Sequence, residues 1–182
     1  GGSALNSTQV ASFRAAQYIS QNYDIAPVSE EVFSKLCNDH VSSYLNTAKT
    51  LIKDKKNTNV LQLRKHYQKL MTKSGAHIRG LHEVTEAVNT SLNEIKSFVN
   101  DRSVNDRAYL IDAFRNRDIL ITRYVYLSAI KEYIEKGGRS RGSYLVRDDE
   151  GILPITGLPE IFRFKLDDQK LMSKTCTVKY DK

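Results

Sequence analysis

The sequence predicts a mainly α protein, an antiparallel helical bundle followed by a small C-terminal β-hairpin. Apolar residues recur at helical spacing through most of residues 29–136, and apolar–polar alternation appears only near the C-terminus. With 182 residues, 40% of them hydrophobic, the chain is long enough to bury a core. We divide it into segments 1–24, 25–150 and 151–182.

The N-terminal region predicts two helices. A glycine-rich start, Gly1–Asn6, leads into an apolar helical segment, Gln9–Gln21. The free N–H groups and positive dipole of such a helix start suit an anion or a carbonyl oxygen. A second helix begins at Ser29, a good capping residue, and ends at the basic run 53–57.

Three further amphipathic helices follow, joined by short connections that favour antiparallel neighbours. Their apolar stripes lie at 60–71, 84–99 and 110–134. In the first of them, Lys65, Lys69 and Lys73 lie opposite the stripe, as expected of a water-facing side. The connection after the helix with the 84–99 stripe is Asn100–Asn105, and the helix with the 110–134 stripe ends at Gly137–Gly138.

Beyond the last helix, glycines and prolines indicate a loop-rich tail. Ile161–Leu166 alternates apolar and basic residues, and Thr175–Tyr180 is β-branched and roughly alternating. Asp167–Asp168 between them is a suitable turn, so the sequence predicts a β-hairpin. Because an isolated hairpin is marginally stable, we expect it to dock on the bundle.

Several classes of protein are disfavoured by the composition. The apolar runs are too short for a membrane span, and no signal peptide precedes them, so we expect a cytoplasmic protein. Cys37 and Cys176 are too few for a disulfide framework. The four histidines lack zinc-like spacing, and the common catalytic motifs are absent, so we assign no catalytic and no metal-binding residue.

The net charge of +7 is concentrated in Lys53–Arg79. This excess indicates either a phosphate-binding face or a solvated helix face. The segment lacks interleaved exposed aromatic residues for base stacking, so nucleic acid is not the partner we expect. Gly137–Gly142 presents the same choice, because its glycines and two arginines suit either an anion clamp or a helix end with solvated side chains.

Three segments, in order, resemble a known family. These segments are Gly1–Asn6 with the following Ala-rich helix, then Leu70–Met71 with Gly75 and Arg79, and finally Arg115–Asn116 with Ser140–Gly142. Together they resemble the C-terminal part of FAD-dependent oxidoreductases of the succinate dehydrogenase/fumarate reductase flavoprotein and L-aspartate oxidase type. Ser3, Arg139 and Tyr144 depart from the family pattern, which has asparagine, an acid and histidine at those positions.

The resemblance implies a fragment of a larger flavoprotein. The dinucleotide fingerprint and the capping domain of the family are absent from residues 1–182, so the parent enzyme would bind FAD and this fragment would not. Residues 1–24 would be the last helix of the FAD-binding domain. Gly2, Ser3, Ala4 and Leu5 would present backbone N–H groups to the flavin, and Arg139, Ser140, Arg141 and Gly142 would lie at the interface with that domain.

The partner implied by the resemblance is the remainder of the flavoprotein chain. Apolar residues surround the first helix instead of forming one stripe, so the isolated fragment is also expected to form a homodimer centred on Phe13 and Tyr18. Two functions from other classes stay open at this point: a basic nucleic-acid-binding module and a helical protein-interaction domain.

Overall fold

A computed structural model describes residues 2–24, 26–53, 59–101, 103–104 and 106–179, with the side chains of 100 and 101 excepted. Gly1, the basic run after Lys53, most of the 100–105 connection and Tyr180 lie outside the described residues. The described chain forms two compact units, Gly1–Tyr44 and Leu45–Lys182. The division falls inside a helix, whereas the sequence-based boundary was placed after Asp24.

The predicted mainly α fold is confirmed. The helices are α1 (Gly2–Asn22), α2 (Glu30–Lys53), α3 (Val60–Gly75), α4 (Leu81–Asp101) and α5 (Leu110–Glu135). Single 3₁₀ turns occupy Arg107–Tyr109 and Glu160–Phe162. No helix in the described ranges is long and apolar enough to cross a lipid bilayer.

The first unit consists of α1 and the larger part of α2. No residue of α1 is buried. Its large apolar side chains are instead exposed, for example Phe13 at 71% and Tyr18 at 60%. A helix with apolar residues on several sides is typically buried, so this exposure differs from what the sequence pattern indicates.

The second unit is built on α3, α4 and α5. Tyr67 packs with Phe98 and Leu120 in one core cluster, which Leu51 from the end of α2 also joins. Val84 packs with Leu127 and Ile130 in another cluster. The beginning of α4 therefore lies beside the end of α5, and its end lies beside the beginning of α5, as expected of antiparallel neighbours.

Local sequence explains where α3 begins and where α5 ends. The Asn59 side chain accepts a hydrogen bond from the Gln62 N–H and caps α3. At the end of α5, the N–H of Gly137 donates to Ile134 and that of Gly138 donates to Tyr133, which is the Schellman arrangement. Gly137 has φ +87°, a conformation that strongly favours glycine, so the predicted stop is confirmed.

The predicted C-terminal β-hairpin is not formed among the described residues. Instead, β1 (Ile78–Arg79) pairs in parallel with β2 (Leu145–Ile152). Phe164 makes isolated antiparallel bridges to Arg147 and Ile152, and residues 174–179 have no regular secondary structure. The physical reason is that residues around Phe164 find their hydrogen-bond partners on β2, which precedes them, and not on the segment that follows.

Candidate functional site

The predicted cofactor-binding residues form the first turn of α1. The helix begins at Gly2, so Gly2, Ser3, Ala4 and Leu5 are already helical, and all four are exposed. Gly1, the first residue of the predicted turn Gly1–Asn6, lies outside the described residues. The first N–H groups of a helix have no acceptor within it, and this first turn contains no acidic side chain. The turn therefore offers an accessible positive dipole end.

The predicted interface residues lie in a different place, at the end of α5. Ser140 is 5% exposed, and its Oγ accepts a hydrogen bond from the Val146 N–H at 2.8 Å and donates to the Val146 carbonyl at 3.2 Å. The Ser140 backbone N–H donates to Lys165, and its carbonyl accepts from Asp167. One serine thus connects the end of α5 to both β2 and the later C-terminal segment.

The two arginines of this motif each have a carboxylate partner. Arg139 Nη1 lies 2.6 Å from Asp148 Oδ2, and Arg141 Nε lies 2.9 Å from Asp167 Oδ2. Burial would raise the pKa of Asp148, but hydrogen bonds from Lys165 and Arg139 outweigh it and hold the pKa below its usual range. Because both guanidinium groups are paired within the chain, the motif is a poor free anion clamp.

An aromatic cluster next to this motif was not predicted. Tyr133 Oη donates to the Arg139 carbonyl at 2.8 Å, and the rings of Tyr133 and Tyr144 meet edge to face at 5.9 Å. Burial, followed by the hydrogen bond to Tyr144, raises the pKa of Tyr133 to about 12. Arg79 Cζ lies 4.0 Å from the centroid of the Tyr144 ring, so Tyr144 occupies a packed position beside the bundle.

Arg79 connects this cluster to α3. Its Nε donates to the carbonyls of Gly75 and Ala76, which lie at the end of α3. Burial lowers the pKa of the Arg79 guanidinium from its ordinary value. Sequence reasoning singled out Arg79 and Tyr144 separately, but only the parallel pairing of β1 with β2 brings them together.

A buried charged network inside the bundle was also missed. Arg123 is 3% exposed, its Nε donates to Ser91 Oγ at 2.9 Å, and its Nη2 is paired with Glu94. His66 Nε2 lies 3.3 Å from the other oxygen of Glu94. The sequence did contain a signal for this network. Arg123 lies three residues after Leu120 and four before Leu127, so it shares their side of the helix with the apolar stripe.

Asn116, part of the motif Arg115–Asn116, is a structural residue. It is 1% exposed, its amide donates to the Val60 carbonyl at 2.8 Å, and its Oδ1 accepts from Arg64 Nε at 2.9 Å. Asn116 therefore fixes the beginning of α3 against α5. Nothing in these contacts indicates chemistry at this position.

We expect Ser140→Ala to lower the free energy of unfolding by about 1–3 kcal/mol, because it leaves the buried N–H and carbonyl of Val146 without their Oγ partner. Urea unfolding followed by circular dichroism measures the change. Ser143→Ala, at an exposed position of the adjoining turn, is the control and should change stability by less than about 0.5 kcal/mol. Equal effects of the two substitutions would contradict the prediction.

The site residues thus belong to two separate places: the exposed start of α1, and the packed junction of α5 with the C-terminal segment. No group of three or more potential metal ligands occurs within the described ranges. Comparison of the chain with family models, curated proteins and solved structures gives no match.

Proposed function

We propose that this chain is the C-terminal part of an FAD-dependent oxidoreductase that resembles the succinate dehydrogenase/fumarate reductase flavoprotein and L-aspartate oxidase family. The three ordered motifs of the sequence support the proposal, and one structural observation carries it. This observation is the state of α1, a 21-residue helix without a single buried residue.

Helix α1 has large apolar side chains on several sides and little charge. Leu5, Phe13 and Ile19 are 69%, 71% and 57% exposed, and Arg14 is the only charged residue between Gly2 and Asn22. A helix that is apolar on several sides is typically buried, since each large side chain left in water forgoes about 1.5–3 kcal/mol of burial. The remainder of a flavin-binding domain would supply that enclosure.

The first turn of α1 suits the polar end of a flavin. Bound FAD would supply hydride acceptance, a chemistry that places negative charge at the pyrimidine end of the flavin. The role of this chain would be to hold the N–H groups of Gly2–Leu5 and the Ser3 hydroxyl toward that charge, in fixed positions. The absence of an acidic side chain from the turn fits this role.

The Ser140 motif would contribute to the parent enzyme mainly through packing. The side chains of Arg139, Ser140 and Arg141 are occupied by partners within the chain. Arg141 and Gly142 are the exposed residues of the motif and could contact a flavin domain.

The test is to read the gene upstream of the Gly1 codon and to express the whole reading frame. We expect a dinucleotide-binding fingerprint in that frame and about one FAD for each purified protein. The chain of 182 residues alone is expected to retain no flavin through gel filtration. A whole reading frame without the fingerprint, or without bound flavin, would overturn the proposal.

In the flavin-loaded protein, Ala4→Asp should lower the two-electron midpoint potential by at least about 30 mV, a tenfold change in the equilibrium constant. The new carboxylate opposes the charge of the reduced flavin, although an acid in the first turn favours the helix itself by about 0.3–1 kcal/mol. Ala16→Asp is the control, because the same charge then lies about 18 Å further along α1. Equal shifts in the two variants would rule out a flavin contact at the first turn.

A further inference from the structure

An open groove runs between α3 and α5 on the surface of the second unit. Its lining is chiefly Tyr67, Met71, Ile119, Thr122 and Tyr126, and its volume is about 520 Å³. This size lies within the range of pockets that hold small organic molecules, roughly 300–1,000 Å³. The lining is mostly apolar, and Tyr126, on its border, is 61% exposed.

A row of lysines lies on the outer side of α3, separated from the groove by Gln68 and Thr72. Lys65, Lys69 and Lys73 are exposed and follow one another at i to i+4 spacing, so they lie about 6 Å apart along the helix. None of the three has a carboxylate partner among the residues that the structure describes. Gln68 and Thr72 line both this lysine row and the groove, so the two features are adjacent.

Arg123 is a further polar residue at the groove. While its Nε and Nη2 donate to α4, its buried Nη1 has no acceptor within the described part of the chain. The charge of Arg123 is already balanced by Glu94. An anion would therefore be attracted by the lysine row and not by Arg123.

We propose that the α3–α5 groove is a binding site for a small aromatic anion. The ring lies against Met71, Ile119 and Tyr126, where ring–ring and sulfur–ring contacts favour an aromatic group over an aliphatic chain. The carboxylate or phosphate of the ligand lies at the edge of the groove formed by Gln68 and Thr72, within reach of the flexible lysine side chains. This proposal does not depend on the proposed flavoprotein function, because the groove shares no residue with α1 or with the Ser140 motif.

The aromatic side of the groove comes from a different helix than the lysine row. Residues 53–73 contain no exposed aromatic residue interleaved with the lysines in a way that suits stacking. Tyr126 belongs to α5, more than fifty residues later, and the fold brings it to the same groove as Gln68 and Thr72. An aromatic surface and a row of cations are thus combined by tertiary structure.

The test is a titration of the 182-residue chain with 2-naphthoate, followed by ¹H–¹⁵N NMR. We expect shifts at the amides of Thr72 and Thr122 with a Kd of about 0.1–1 mM, as befits a ligand of this size in an open groove. The neutral isostere 2-naphthamide should bind at least about fivefold more weakly. Raising the salt concentration should weaken binding of the carboxylate and leave that of the amide unchanged.

Matched variants localise the site. Lys69→Gln should weaken naphthoate binding about two- to fivefold, and Lys96→Gln, which removes the same charge from an exposed position on α4, should change it less than about 1.5-fold. Tyr126→Ala should weaken binding about five- to tenfold, whereas Tyr109→Ala, also at an exposed tyrosine, should not. Thermal unfolding of each variant verifies that the fold is intact.

Three results would overturn the proposal. One is equal affinity for 2-naphthoate and 2-naphthamide. Another is equal effects of Lys69→Gln and Lys96→Gln, or of Tyr126→Ala and Tyr109→Ala. The third is an absence of naphthoate binding. If oligothymidylate then binds with a strong salt dependence that Lys69→Gln reduces, the lysine row is a contact for nucleic-acid phosphates.

Discussion

Replacement of Arg123 by Met is expected to lower the free energy of unfolding of the second unit by about 3–5 kcal/mol. The guanidinium is almost fully enclosed, with its side chain 2% exposed, and it is paired with the Glu94 carboxylate, which is 16% exposed. Met has a similar length and no charge, so the variant leaves Glu94 largely buried without its main partner. Removing one member of a buried pair is costly for this reason. Urea unfolding followed by far-UV circular dichroism measures the loss.

Two further variants make this prediction specific. Arg115→Met, on the same helix, removes a guanidinium that is 66% exposed and lies 3.5 Å from Asp112, so it should cost less than about 1 kcal/mol. The double variant Arg123→Met/Glu94→Gln should be more stable than Arg123→Met alone, because it removes the unpaired charge. If the double variant is no more stable than the single one, the loss comes from packing and not from the buried charge.

Gly138→Ala is expected to cost about 1–3 kcal/mol, whereas Gly142→Ala should cost less than about 0.5 kcal/mol. A Cβ at Gly138 would lie 2.5 Å from the backbone carbonyl oxygen of Tyr133, which accepts the Schellman hydrogen bond, and equally close to the Tyr133 ring. Backbone cannot move aside without opening the end of the helix, so the substitution overpacks the site. A Cβ at Gly142 would meet nothing within 4 Å.

The pair of glycine variants is informative because both residues belong to one short motif and the chemical change is the same. Thermal unfolding of both variants, with the near-UV circular dichroism of the tyrosines as a second readout, separates them. Loss of the tyrosine signal is expected only in Gly138→Ala, because the Tyr133 Oη also contacts the backbone of Arg139. Equal behaviour of the two variants would mean that the close approach at Gly138 is relieved without cost.

Most of the helical architecture was predictable from sequence, because it depends on local patterns. The apolar periodicity of α3, α4 and α5 and the glycine pair after α5 are signals that lie within each element. The C-terminal hairpin was not predictable in this way. Alternation predicts an extended segment over Ile161–Leu166, but Ile161 and Phe162 belong to a 3₁₀ turn. Phe164 does form bridges, and its partner is chosen by tertiary contacts with β2.

The candidate site shows the same limit. Spacing identified Arg139 and Arg141 as candidates for an anion clamp, and the family resemblance implied a domain interface. Neither could reveal that Asp148 and Asp167 fold back to pair with the two arginines. Arg123 was overlooked because a single charge within an apolar stripe resembles a boundary of that stripe. Its partner Glu94 lies on another helix, where only packing brings the two together.

The parallel pairing of β1 with β2 has a consequence for the order of folding. Ile78 and Leu145 are more than sixty residues apart along the chain, and α4 and α5 lie between them. Closing so long a loop costs entropy that only formed helices can offset, so the pairing is expected to follow assembly of the bundle. Within the segment from Arg141 to Lys179, only Val146 and Gly151 are buried. During synthesis, the three-helix core can therefore form before this segment leaves the ribosome, and the segment then closes over a finished surface.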